Sequence, residues 1–262
     1  MPGSATSESF SKVPRGLRRH RLLILLFVCG LMMVLYTYLT PPVVNQKLID
    51  RLPLLPALPG DLPLYVCRFV ASFLLLGVFP LAVALLLGEN LTGLGFRAPA
   101  RRLPAQLEAL VLISCVLIGA AGAYSPQLYA FYPYSSTLLE IISDRGLIIF
   151  LPHAFLYLVL YYLPWELFFR GIMIFPLLRL AESQGIEKKQ YLLLLASLQA
   201  IPSTLLHFGH PFLETLGALP FGFVAGFLAL KTGSILPVLV VHSLIGISQD
   251  FVIALRVLEV LP

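Results

Sequence analysis

GLIIFLPHAFLYLVLYYLPWELFFRGIMIFPLLRL, residues 146–180, is apolar for about 35 residues. A membrane-spanning helix needs ~20 such residues, so this run is too long for one upright crossing. Pro152 and Pro164 interrupt it. The sequence therefore predicts a long kinked helix, or two helices meeting near Pro164.

The rest of the chain reads the same way. Of its 262 residues, 58% are hydrophobic and 12% charged, against roughly 25% charged in soluble domains. There is too little polar surface to cover a water-soluble globule. Further apolar runs lie at Leu22–Leu39, Leu64–Leu87, about Leu107–Ala123, Tyr191–Leu206, Glu214–Leu230 and Ile235–Val257. The expected fold class is all-α, a polytopic transmembrane bundle of about seven to eight helices. Residues 1–21 form a basic tail, 22–145 the N-terminal helices and loops, and 146–258 the C-terminal helical core. The first run is long for a signal peptide and no small-residue cleavage site follows it, so it is expected to be an uncleaved anchor. Pro-rich residues 40–63 are expected as a loop. Tyr124, Tyr129, Tyr132 and Tyr134 are expected at the membrane interface, and Arg68 to snorkel toward headgroups. Gly217, Gly222 and Gly226 should let helices approach closely.

Net charge is +5. The basic residues lie in short segments between apolar runs, without interleaved aromatics, which excludes a nucleic-acid surface and points to the lipid bilayer. With the N-terminus cytoplasmic, twelve Lys and Arg fall inside and three outside, as the positive-inside rule favours. The expected place is a multi-pass position in a bacterial inner or cell membrane. Cys29, Cys67 and Cys115 are odd in number and unpaired in spacing, hence expected as inert thiols.

Against this background, ionisable residues inside the second half stand out, because each costs at least ~2.5–3.5 kcal/mol at a helix centre. Glu166 and Arg170 are four apart and share a helix face. That pair suits a structural ion pair and a functional site equally. His207 and His210 sit near a helix end, where histidines are commonly hydrogen-bonded interface residues; His210, between Gly209 and Pro211, fits that reading better. His242 lies about eight residues inside its run, roughly 12 Å of rise, too deep to snorkel. Asp250 is two turns further on, and Gln249 is closer to the His242 face. Charges on three apolar segments need partners within protein, so they are expected to face one wet cavity. Glu166, His207 and His242 also form a donor set that suits a divalent metal such as zinc, or one that activates a water with Glu166 as general base.

The order of motifs resembles the CPBP family, the CAAX-protease-like (Abi) intramembrane proteases, over residues 145–250. The matching residues are Glu166 with Arg170-Gly171, then His207, then His242 after Thr232-Gly233-Ser234-Ile235-Leu236-Pro237. The resemblance implies an intramembrane endopeptidase acting on a membrane-associated protein or peptide, with Glu166, Arg170, His207 and His242 catalytic. Three departures stand out. Trp165 occupies the place of the family's first glutamate, Ser203 that of an aromatic, and Gly246 that of a polar residue. Asp250 and Glu214 are the carboxylates available in support. Two other readings remain: a non-catalytic membrane scaffold of the same fold, favoured by Trp165, and a proton-coupled carrier, against which stands the lack of a hydropathy repeat.

Overall fold

The computed structural model describes residues 15–51, 55 and 57–262. Among them there are ten helical segments and no strands. These are α1 (Arg15–Leu39), α2 (Gln46–Ile49), α3 (Leu62–Leu86), α4 (Ala105–Gly122), α5 (Pro126–Phe131) and α6 (Ser136–Arg145). Then follow α7 (Leu147–Ser183), α8 (Lys188–Leu205), α9 (Phe212–Thr232) and α10 (Leu236–Val257). Six of these, α1 from His20, α3, α4, α7, α9 and α10, are long and apolar enough to cross a membrane. The polytopic helical bundle is as the composition requires. The run at 191–206 is helical, as α8, but is not among the six.

Large apolar side chains such as Leu23, Phe27, Leu110, Leu117 and Val224 point outward from these helices. In water such a surface would be a liability; in lipid it is the solvated face. The interior combines aromatics, leucines and isoleucines, small residues and a set of buried polar groups.

The 146–180 run is one long helical stretch, α7, of 37 residues. It is not two helices meeting near Pro164. Its backbone widens to π-helical turns over Tyr157–Tyr162 and Leu167–Ile172, either side of Pro164-Trp165-Glu166, and turns at Met173–Ile174. Proline lacks an N–H and crowds the carbonyl four residues back, and a wider turn relieves that crowding. Such turns concentrate at functional sites, and this one rotates Trp165 and Glu166 out of a regular register.

Helix pairing follows the small residues. On α9, a Cβ at Gly222 would meet Ala200 at 3.2 Å, and one at Gly226 would meet Gln199 Nε2 at 2.4 Å, so α8 and α9 touch backbone to backbone there. Buried Gln199 bridges the pair by donating to Gly222 O at 2.6 Å. Gly217 makes no such approach; nothing lies within 4 Å of its Cβ position, and it opens instead onto a cavity. At one end of the bundle, Asp61 accepts from Ser135 Oγ (2.5 Å), Ser136 N (2.8 Å) and Thr137 N (3.2 Å), which ties the start of α3 to the start of α6. Burial works against the Asp61 charge, but these donors outweigh it and hold its carboxyl below the ordinary value. At the other end, Arg179 of α7 pairs with buried Glu89, and Gly233 (φ 67°) turns the chain from α9 into α10. The three cysteines are free, two of them buried.

Candidate active site

A cavity of about 400 Å³ opens among α4, α7, α9, α10 and the 132–134 segment. Tyr132, Tyr134, Tyr157, Tyr161, Tyr162, Trp165 and Phe221 make its walls; His207, Glu214, His242 and Gln249 supply its polar groups. Two of the four tyrosines expected at the interface, Tyr132 and Tyr134, therefore belong to the cavity wall. Tyr124 and Tyr129 instead receive Arg256 over their rings, at 4.8 and 4.7 Å.

His207 follows the end of α8. Its Nδ1 is 2.8 Å from Ser203 O. A carbonyl only accepts, so Nδ1 carries the hydrogen and Nε2 is the ring nitrogen free for chemistry. Ser203, where the family has an aromatic, thus orients the imidazole through its backbone. Nε2 is 3.9 Å from Glu214 Oε1. Burial pushes the His207 imidazole down to about 4, with Glu214 opposing; it is neutral at pH 7.

Glu214, in the first turn of α9, is the carboxylate on the cavity. Its Oε1 accepts from Tyr132 Oη at 2.6 Å and His210 Nδ1 at 2.9 Å. Its Oε2 is buried with no partner among the described residues. His210 is thus the hydrogen-bonded residue expected from its place in the turn.

Glu166 stands elsewhere. It is fully buried and not part of the cavity wall. One oxygen, Oε1, serves both Arg170 NH1 at 3.2 Å and His242 Nδ1 at 2.6 Å. The helix-face pair expected between Glu166 and Arg170 is present. The expected sharing of one cavity by Glu166 and both histidines is not: the π turn directs Trp165 to the cavity and puts Glu166 behind His242. Trp165 stacks on Tyr161 (5.8 Å, 15°) and meets the His207 ring edge-on at 5.2 Å. A neutral His242 must donate from Nδ1 to the carboxylate, which turns Nε2 outward as an acceptor.

Asp250 is also away from the cavity. It is buried and takes His153 Nε2 at 2.9 Å, while His153 Nδ1 is 2.8 Å from Tyr65 Oη. This chain of three bridges α3, α7 and α10. His153 is a buried histidine that pattern reading passed over, since it lies within an apolar run with no spaced partner. Gln249, by contrast, lines the cavity, as its position relative to His242 suggested.

Gly246 has a neighbour that explains it. A Cβ at 246 would lie 1.7 Å from Tyr162 Oη. The Tyr162 hydroxyl fills the space of the polar side chain expected four residues after His242, and its ring packs 4.8 Å from the imidazole.

The donors read as a metal set do not converge. Glu166 Oε1 is bonded to Arg170 and to His242 Nδ1 and is not part of the cavity wall that His207 lines. Among the described residues, no three His, Cys, Asp or Glu side chains are grouped to hold a metal ion.

Buried Glu166 on α7, His207 just after α8, His242 on α10 and an aromatic cavity thus bring ionisable groups together inside an apolar bundle. Residues 147–248 are similar to the family model described as type II CAAX prenyl endopeptidase Rce1-like. No curated protein and no solved structure matches the chain. The matched segment runs from the start of α7 into α10 and contains Trp165, Glu166, Arg170, His207, Glu214 and His242.

Proposed function

We propose that this protein hydrolyses a peptide bond of a membrane-associated protein or peptide, with the His207–Glu214–His242 cavity as reaction centre. The observation that carries the reading is the meeting of both motif histidines and one partly exposed carboxylate on a single cavity. A water held between His207 Nε2 and Glu214 loses a proton to this pair as its oxygen attacks the scissile carbonyl carbon. The pair then returns the proton to the leaving amine as the C–N bond breaks. General-base help of this kind contributes ~10²–10⁴-fold. Glu166 acts through His242, fixing its tautomer and orientation, with Arg170 as counter-ion. His242 and Tyr162 line the same cavity; in this reading the Tyr162 hydroxyl is the donor for the developing oxyanion. Trp165 closes the wall where the family's first glutamate would stand, and Glu214 supplies the carboxylate from across the cavity.

Two results test this arrangement. The pH–rate profile of the purified protein on quenched-fluorescent hydrophobic peptides should fall on the acid side near pH 4, where His207 takes a proton and ceases to be a base. An acid limb near pH 6.5, the value of an unperturbed histidine, would count against His207 in this role. Tyr162→Phe should lower kcat about 10²-fold with KM nearly unchanged, as loss of one oxyanion donor does. A change confined to KM would assign Tyr162 to substrate binding only.

A scaffold without catalysis is the second reading, and Trp165 is the observation that favours it. Binding of a membrane-tethered substrate without any cleavage by the wild-type chain would decide for it.

A further inference from the structure

Arg68, on α3, does not reach the headgroups as its place near a helix end suggests; it is buried, with its guanidinium over the Tyr134 ring at 4.2 Å. Arg101 and Arg102 do stand outside, both exposed, on the segment that leads into α4. Hydrogen bonds fix that segment across the turn between α9 and α10. Ile235 N donates to Gly95 O, Ala100 N to Thr232 O and Arg97 Nε to Gly233 O, each at 2.9 Å. The starts of α4 and α10 and the end of α9 therefore share one end of the bundle. A cavity of about 390 Å³ lies between these three spans. Arg101, Arg102 and Glu108 line it together with apolar Leu112, Leu228 and Val240. On α10 its wall runs from Leu236 to Val241, roughly 7.5 Å of helix rise. Further along, α4 and α10 close up: a Cβ at Gly119 would lie 2.1 Å from Ile245 O. Among the described residues no carboxylate comes within 4.0 Å of either guanidinium. Two arginines against one glutamate leave the mouth of the groove cationic.

We propose that this groove holds one anionic phospholipid, with its headgroup phosphate on Arg101 and Arg102 and the upper part of one acyl chain along Leu112, Leu228 and Val240. Guanidinium donors free of a carboxylate match phosphate oxygens in pairs. Basic pockets between spans at headgroup depth are where anionic lipids are held. The charge sits where the spans end, and the apolar wall runs from there toward the hydrocarbon layer. That layout fits a phospholipid; a free phosphate would leave the apolar wall uncovered. A lipid seated there braces α4, which gives Ile118 and Gly122 to the reaction cavity. The site stands whether or not the chain is a peptidase.

The test places the full chain in nanodiscs doped with phosphatidylglycerol or phosphatidylcholine, each carrying a photoreactive diazirine high on one acyl chain. Labelled peptides are mapped by mass spectrometry. At equal mole fraction, phosphatidylglycerol should label the peptides of Leu112 and Val240 about tenfold more than phosphatidylcholine, as two arginines near an anionic headgroup imply. Arg101→Gln with Arg102→Gln should bring the two lipids within about twofold of each other. Lys231→Gln, exposed at the same end but outside the groove, should keep the preference. Val240→Phe, which fills the groove and leaves both arginines, should remove the labelling at Leu112. Equal labelling by the two lipids, or a preference that survives the double arginine variant, would overturn the proposal. A preference lost equally in Lys231→Gln would overturn it too, in favour of diffuse attraction to the whole basic face. So would displacement of the lipid by sodium phosphate but not by sodium chloride of the same ionic strength, which would assign the arginines to a soluble phosphate.

Discussion

Glu166→Gln is expected to destabilise the protein by about 3–5 kcal/mol, because it leaves the Arg170 guanidinium buried and uncompensated. Both side chains are almost fully inaccessible, at 1% and 0%. Arg170 Nε already lacks a partner among the described residues, and Glu166 is the carboxylate its guanidinium pairs with there. The same change removes the acceptor that fixes His242 Nδ1 at 2.6 Å. Cleavage should therefore fall along with stability. A double variant separates the two effects. Glu166→Gln with Arg170→Met deletes both charges, and replacing a buried pair by apolar or neutral groups is commonly close to neutral. Unfolding of the double variant should return to within about 1 kcal/mol of wild type, while cleavage stays depressed because His242 has lost its orienting carboxylate. Full recovery of cleavage in the double variant would make Glu166 a purely structural residue.

Glu214→Gln is expected to have the larger effect on chemistry and the smaller on stability. The amide keeps the shape, and its oxygen still accepts from Tyr132 and His210. What it loses is the capacity to take a proton beside His207. The expected loss is about 10²–10⁴-fold in kcat, with peptide binding within about twofold of wild type. If Glu214→Gln cleaved at the wild-type rate while Glu166→Gln in a stabilised background did not, the carboxylate roles would be reversed.

Much of this arrangement is legible in the sequence. The apolar runs require a helical membrane bundle, the spacing of Glu166 and Arg170 gives their pairing, and the depth of His242 marks it as an inward group. What the sequence hides is the register between helices. Nothing in the 160–170 segment shows that π turns around Pro164 aim Trp165 at the cavity and put Glu166 behind His242. Glu214 reads as a spare carboxylate because its meeting with His207 and Tyr132 depends on how α9 folds back over the 132–134 segment. Arg68 near a helix end has the pattern of a snorkelling residue, and only the packing of the 131–134 and 205–210 segments over it shows otherwise. Gly246 reads as a loss until the Tyr162 hydroxyl is found in the space its side chain would need.

The most direct measurement follows oxygen from the solvent. Hydrolysis places one water oxygen in the new carboxyl terminus. Purified wild-type chain, incubated with a membrane-tethered peptide pool in ¹⁸O-water, should yield fragments carrying one heavy oxygen at that terminus, identified by mass spectrometry. His207→Ala and Glu214→Gln, folded and binding the same peptides, should yield none above background. Unlabelled or absent fragments from the wild-type chain, or labelled fragments in equal amount from Glu214→Gln, would contradict a hydrolytic centre at this cavity.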